Sequence, residues 1–163
     1  MAYRLSLRAA ALAGAVLVHG LGAEAQAADK VRISNLSDVA FGALVAPSDV
    51  SIARDICVYS TALNGTYAVI ASGNGTGGAF ELASGSDRLA YDVQWAQAAG
   101  QASGSALEAG VASQQFFSGA LQQACNSGPA NSATLVVRLK ASDAAAARAG
   151  SYSGVLTLTI VPG

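Results

Sequence analysis

Residues that could form a catalytic site are scarce in this sequence. It contains one histidine, His19, and two cysteines, Cys57 and Cys125. A serine or cysteine nucleophile usually needs a histidine as its base, and protein-bound zinc is held mainly by histidine and cysteine. His19 lies in a segment that we expect to be removed, and we expect both cysteines to be oxidised. The sequence therefore predicts neither a nucleophile with its base nor a zinc site.

The charged residues do not indicate a reaction or a metal site either. The carboxylates are scattered, and no predicted loop has the alternating acidic pattern of a calcium site. Nothing indicates that Lys30 or Lys140 is buried, as a lysine acting as a base is. Lysine and arginine number 9, aspartate and glutamate 10, without runs of either sign, so a nucleic-acid partner is not expected. We predict no enzyme activity, no metal and no cofactor.

Five aromatic residues could form either a core or a sugar-binding face: Tyr59, Tyr67, Tyr91, Trp95 and Tyr152. All except Tyr59 share the parity of the apolar residues in their predicted strands. Burial in a core is therefore the favoured interpretation, and a sugar-binding face is the alternative.

The amino terminus has the pattern of a secretory signal peptide. Arg4 and Arg8 are followed by an apolar run, 9–21, and by the small-x-small sequence at 25–27. The run is too short to span a bilayer. We predict that residues 1–27 are removed, that residues 28–163 form a single domain, and that the exported chain has no membrane span.

Export determines the expected state of the two cysteines. Thiols oxidise outside the cytoplasm, so we predict a disulfide between Cys57 and Cys125. The loop between them is long, and the chain-entropy model gives a stabilisation of roughly 4 kcal/mol.

The end of the chain, 150–162, is the clearest strand. Tyr152, Leu156, Leu158 and Ile160 share one parity, and serines and threonines occupy the other. This period of two is typical of a strand with one buried face. Such a strand needs a paired neighbour and a second sheet over its apolar face.

With this last strand included, the chain predicts about eight or nine short strands. Asn64-Gly65 lies between two of them and predicts a hairpin turn. Residues 88–95 alternate as one strand, and the glycine-rich run 74–78 predicts a flexible loop. Segment 96–133 predicts short strands and loops, with a helix over 113–124 as the alternative.

One short helix and a core complete the expected fold. The helix covers 142–148, capped by Ser142 and ended by Gly150. Short strands separated by turns are typical of a β-sandwich. The predicted core residues are Phe41, Tyr67, Val69, Leu89, Tyr91, Val93, Trp95, Leu135, Val137, Leu139 and Tyr152.

Several short motifs in their order carry a family resemblance. They are Phe41-Gly42, the segment Cys57 to Tyr67, Leu-x-Tyr before Val-x-Trp within 89–95, and Ala-Gly-Ser-Tyr-Ser-Gly-Val-Leu-Thr-Leu-Thr-Ile at 149–160. Together the chain resembles the spore coat protein U family, which includes the major pilins of archaic chaperone–usher pili. The cysteine that this family usually has shortly before Phe-Gly is absent here.

The resemblance implies an immunoglobulin-like sandwich that lacks one strand. A periplasmic chaperone first covers the exposed groove, an outer-membrane usher assembles the subunits, and a donor segment of another pilin subunit then fills the groove. Carried over to this chain, Leu156, Leu158 and Ile160 contribute to the lining of the acceptor groove. The signal-peptide pattern and the resemblance together imply export through the inner membrane to the periplasm, and from there to the cell surface or the medium.

A donor segment needs several alternating apolar residues, and in this chain only Val31 and Ile33 alternate ahead of Asn35. If residues 28–36 form the donor strand, the domain begins near Val39. If they do not, the subunit accepts a strand without giving one, which places it at a fibre terminus or outside a fibre. The alternative function is a self-complete secreted module, such as an adhesin binding through 74–78, or a coat or matrix protein.

Overall fold

The structure, a computed structural model, describes residues 3–10, 28–43 and 48–163. These residues form twelve strands and one α-helix. In chain order they are β1 (Tyr3–Ala10), β2 (Val31–Ser34), β3 (Val39–Gly42), β4 (Val50–Ser60), β5 (Thr66–Ser72), β6 (Glu81–Ser84), β7 (Asp87–Ala90), β8 (Asp92–Ala96), β9 (Ser105–Ala106), β10 (Phe116–Phe117), β11 (Ala133–Leu139), α1 (Ala141–Ala146) and β12 (Tyr152–Pro162).

The strands make two sheets. The first has seven strands, with the order β10-β5-β12-β1-β3, and β6 joins it by pairing with both β12 and β7. The second has five strands in the order β2-β4-β11-β8-β9. Apolar residues of the two sheets form one core cluster. The prediction of an all-β sandwich is confirmed, and among the described residues no helix is long and apolar enough to cross a membrane.

The core follows from the alternation in the strands. Every residue predicted for the core is buried, and the largest fully buried side chains include Trp95, Tyr67 and Tyr152. The eleven belong to the same cluster: Phe41, Tyr67, Val69, Leu89, Tyr91, Val93, Trp95, Leu135, Val137, Leu139 and Tyr152.

A disulfide ties the long irregular segment to the second sheet. Cys57 in β4 bonds to Cys125, with 5.9 Å between their Cα atoms, as predicted. Within 96–133, all of which the structure describes, only β9 and β10 precede β11, each two residues long. The helix considered for 113–124 is not formed. Leu107 and Phe116 are buried apolar anchors of this segment, and the disulfide adds a covalent attachment.

The turn at Asn64-Gly65 has the expected backbone but a different role. Asn64 and Gly65 have φ values of 60° and 71°, a conformation that favours these two residue types. However, β4 and β5 belong to different sheets. The hairpin prediction was therefore wrong, because the turn carries the chain across the sandwich instead of pairing its flanking strands.

The single strand predicted for 88–95 is divided at Tyr91. The N–H group of Tyr91 donates to the carbonyl of Phe80 over 3.0 Å. Before this point β7 pairs with β6, and after it β8 pairs with β11 in the other sheet. The alternation continues through the break because both sheets face the same core, so periodicity could not reveal the crossing.

The helix begins earlier than predicted and is capped differently. It spans Ala141–Ala146, with Lys140 at the N-cap and Ala147 at the C-cap. Ser142 lies inside it, and the carboxylate of Asp49 accepts a hydrogen bond from the Ala141 N–H over 2.9 Å. That bond, and then the ion pair with Arg138, lower the pKa of Asp49. A carboxylate distant in sequence thus replaces the predicted Ser142 cap.

Two buried tyrosines differ in their hydroxyl environment. The Tyr67 hydroxyl accepts a hydrogen bond from the Trp95 indole N–H over 3.1 Å. The Tyr91 hydroxyl has no hydrogen-bond partner among the described residues. Burial raises the pKa of Tyr67 to about 12 and raises the pKa of Tyr91 as well.

These environments predict opposite effects of removing each hydroxyl. Tyr91→Phe removes an unsatisfied buried group, so the free energy of unfolding is expected to stay equal or to rise by about 1 kcal/mol. Tyr67→Phe leaves the Trp95 N–H unpaired and is expected to lower the free energy of unfolding by about 1–3 kcal/mol. Urea denaturation at pH 7 compares the two, and equal losses would contradict the assignment.

The raised pKa values also predict alkaline sensitivity. Both tyrosines stay protonated in the folded chain above pH 10, where unfolded tyrosines ionise, so stability is complete below about pH 10 and falls as pH rises towards 12. Each raised group contributes a slope of about 1.4 kcal/mol per pH unit in this window. Tyr91→Phe is expected to reduce the slope, measured by urea denaturation at several pH values. An unchanged slope would show that Tyr91 ionises equally in both states.

Candidate strand-acceptor groove

Strand β12 has different partners on its two edges. On one edge it pairs antiparallel with β5 over 157–162 and with β6 at Ser153. On the other edge it pairs in parallel with the whole of β1, from Tyr3 opposite Tyr152 to Ala10 opposite Thr159. The far edge of β1 pairs antiparallel with β3. Strand β1 is thus the link between β12 and β3 in this sheet.

Strand β1 lies within the segment predicted to be removed as a signal peptide. Neighbouring strands in a sheet are about 4.8 Å apart, so a sheet without β1 has a gap of about 9–10 Å between β12 and β3. Both strands then present unpaired N–H and C=O groups. We call this gap the acceptor groove, bounded by 152–159 of β12 and by β3.

The lining of the groove can be assigned by register. Leu156 and Leu158, both predicted to line it, lie opposite Leu7 and Ala9. Ile160 follows just beyond the last residue paired with β1, at the groove's end. All three side chains are buried with β1 in place.

Two residues that line the groove, Gly154 of β12 and Val39 of β3, were missed by sequence reasoning, and both lie opposite the same residue of β1. Leu5, fully buried, lies opposite Gly154 on one side and Val39 on the other. Gly154 has no side chain, and a Cβ at this position would meet atoms of Glu81 and Asn74, so the glycine allows β6 and the turn before it to approach β12 closely. Gly154 shares the parity of the apolar residues in the last strand, and a glycine at such a position is a sequence signal for close approach of a neighbouring strand.

The other edge of β12 is anchored by the glycine-rich turn. Between the partners β6 and β5, the Asn74 side-chain oxygen accepts a hydrogen bond from the Val155 N–H over 3.3 Å. The Gly73 N–H donates to the Gly78 carbonyl over 2.8 Å, and a Cβ at Gly73 would lie 2.1 Å from the Ala79 carbonyl oxygen. The run 74–78, predicted to be a flexible loop, is a hydrogen-bonded turn that supports this wall of the groove.

A carboxylate lies at one end of the groove. Asp38, just before β3, pairs with Arg4 of β1 over 2.7 Å. Both side chains are well exposed, so the pair contributes about 0–1 kcal/mol. Asp38 therefore favours, weakly, a basic residue at an outward position of any strand that occupies the groove.

The candidate donor residues Val31 and Ile33 lie in β2, outside the groove. They are opposite Ser60 and Val58 of β4 in the same chain. Both are partly buried and pack against the core. For residues 28–36 to be donated to another chain, β2 has to leave β4.

Other sites with chemical potential are limited. Within 3–10, 28–43 and 48–163, no three metal-ligating side chains are grouped. Tyr67, Tyr91, Trp95 and Tyr152 are buried, so they offer no exposed platform for a sugar. A cleft of about 430 Å³ beside Trp95 is lined by uncharged polar groups, including glutamines and serines.

Comparisons with known proteins find no matching family model and no similar curated protein. The family resemblance therefore depends on the short motifs alone.

The close packing behind β12 gives a testable prediction about Gly154. A Cβ there would lie 2.9 Å from the Glu81 carbonyl oxygen and 3.0 Å from the Asn74 side-chain oxygen. Gly154→Ala is expected to cost about 1–3 kcal/mol, because backbone must shift to relieve the contact. Ser153→Ala, at the exposed neighbouring residue, is the matched control and is expected to change stability by less than about 0.5 kcal/mol. Urea denaturation of the full chain provides the comparison; equal effects would mean that β12 is not held closely against β6.

Proposed function

We propose that this chain is a structural subunit of a bacterial surface fibre and is completed by a strand from a partner protein. The observation that carries the proposal is the position of β1. The segment predicted to be cleaved occupies a central place in a sheet, between β12 and β3. Its removal leaves a sandwich with one strand missing, which is the state that the family resemblance implies.

The physical requirement for a partner follows from that state. An open, apolar strand edge binds any extended peptide that offers backbone groups and alternating apolar side chains. During assembly a periplasmic chaperone and then another pilin subunit satisfy this requirement, and the outer-membrane usher assembles the subunits. A fibre is then built by main-chain hydrogen bonds and burial of alternate side chains, without catalysis.

The position of β2 supports a more specific role in the fibre. With cleavage after Ala27, only residues 28–30 precede β2, and β2 is paired with β4. In this arrangement the subunit accepts a strand and holds its own first strand, which is suited to a fibre terminus. Release of β2 would convert the same chain into a donor.

A second candidate function is a self-complete secreted binding module. It is favoured by the fact that β1 closes the sheet within one chain, and by the uncharged polar cleft beside Trp95. This function requires residues 3–10 to stay attached to the domain.

The state of the processed chain distinguishes these functions. We expect residues 28–163, exported to a periplasm without companion proteins, to form oligomers or to be degraded, because the groove is open. Light scattering after size-exclusion chromatography and a protease-sensitivity assay measure this. A stable monomer that unfolds cooperatively would contradict the fibre proposal and favour the binding module.

Variants of β2 then define the subunit's role. Oligomers that form through the open groove edges, without donation of β2, persist in Val31→Asp/Ile33→Asp, which is the result expected for a subunit that only accepts a strand. Their loss would show that residues 28–36 are donated. Arg32→Asp is the matched control, because it places the same charge on the exposed face of β2. The control is expected to behave as the wild type.

A further inference from the structure

The amino-terminal segment fits the acceptor groove better than a targeting segment requires. A signal peptide needs positive charge, an apolar run and a cleavage site, and it has no need of alternation in its basic region. Residues 3–8, Tyr-Arg-Leu-Ser-Leu-Arg, nevertheless alternate with the period of a strand. In β1 this places Leu5 and Leu7 towards the core and leaves Arg4 and Arg8 exposed.

The fit involves the whole strand. All eight residues of β1 are in register with β12, without a bulge. Leu5 is 0% exposed and belongs to the main core cluster, together with Val39 of β3. Arg4 adds the ion pair with Asp38 outside the core. Backbone pairing, an anchoring side chain and a charge contact thus coincide in one segment.

We propose that residues 3–10 are a built-in occupant of the acceptor groove, which keeps the unprocessed chain closed and monomeric until cleavage. This inference rests on the proposed function, because it concerns the regulation of the same groove. While the segment is covalently attached, it competes for the groove at the high local concentration that tethering provides.

Cleavage changes that competition. An endopeptidase hydrolyses the Ala27–Ala28 peptide bond with water, leaving a carboxyl group on Ala27 and an amino group on Ala28. Residues 3–10 then belong to a separate peptide, and their local concentration at the groove falls because they are no longer tethered to the domain. A donor strand of a partner, held close by its own assembly contacts, can displace them. Processing thereby converts a closed chain into one that accepts a strand.

The test compares one protein before and after cleavage. A site for a specific protease is inserted between Ala27 and Ala28, and the intact chain is refolded with its disulfide. The intact chain is expected to be monomeric. After cutting and removal of the peptide, the midpoint of thermal unfolding is expected to fall by about 10 °C or more, and oligomers are expected to form. A synthetic peptide of residues 1–12 is expected to restore the midpoint.

Matched variants test the mode of binding. Leu5→Asp places a charge at the buried position, whereas Arg8→Asp places it at an exposed one. In the intact chain and in the peptide, Leu5→Asp is expected to abolish protection of the groove, and Arg8→Asp to retain it. The amides of β12 that face β1 are expected to lose hydrogen-exchange protection in the cut chain and in the intact Leu5→Asp variant. The amides of β12 that face β5 are expected to stay protected in both.

The outcomes separate this inference from the proposed function. If the intact and cut chains both form oligomers and exchange the same amides, residues 3–10 do not occupy the groove; the inference fails and the fibre proposal stands. If both are stable monomers with the same midpoint, and the peptide does not bind, both proposals fail. Equal effects of Leu5→Asp and Arg8→Asp would also overturn the inference.

Discussion

The pairing of both edges of β12 is the constraint on which the rest of the structure depends. One edge forms hydrogen bonds with β5, β6 and the Asn74 side chain, all of which lie within residues 28–163. Among the residues that the structure describes, the other edge pairs with β1 alone. A strand in the middle of a sheet cannot leave one edge unpaired without exposing backbone groups and the apolar side chains beneath them. The source of the strand on that edge therefore decides whether this chain is a complete module or part of an assembly.

The fold class and the core could be predicted from the sequence, because both depend on local alternation. The alternating apolar residues, such as Trp95, Val137 and Leu158, predict the buried face of a strand without information on its neighbours in the sheet. The disulfide could also be predicted, since an exported chain with two cysteines has one possible intramolecular pair. These predictions needed no knowledge of which strands are neighbours.

The predictions that were wrong all required such knowledge. The Asn64-Gly65 turn has the local geometry of a hairpin, but partners remote in sequence place β4 and β5 in different sheets. The break at Tyr91 is hidden because one core lies between both sheets. Ser142 is a good cap by type, yet Asp49 reaches the helix start through the fold. In each case a tertiary contact overrode a correct local preference.

The lining of the groove follows partly from the sequence pattern of β12 and partly from the register between strands. The alternation of Leu156 and Leu158 predicted a lining, but Gly154 and Val39 could be assigned to it only from their register with Leu5, which lies in the segment predicted to be a signal peptide. A leader and a strand make compatible demands on the same residues, since basic residues can face solvent while leucines face the core. A segment that satisfies both demands can direct export and close the groove. The two roles differ in whether the segment remains attached, and we therefore propose that cleavage after Ala27 changes the state of the domain.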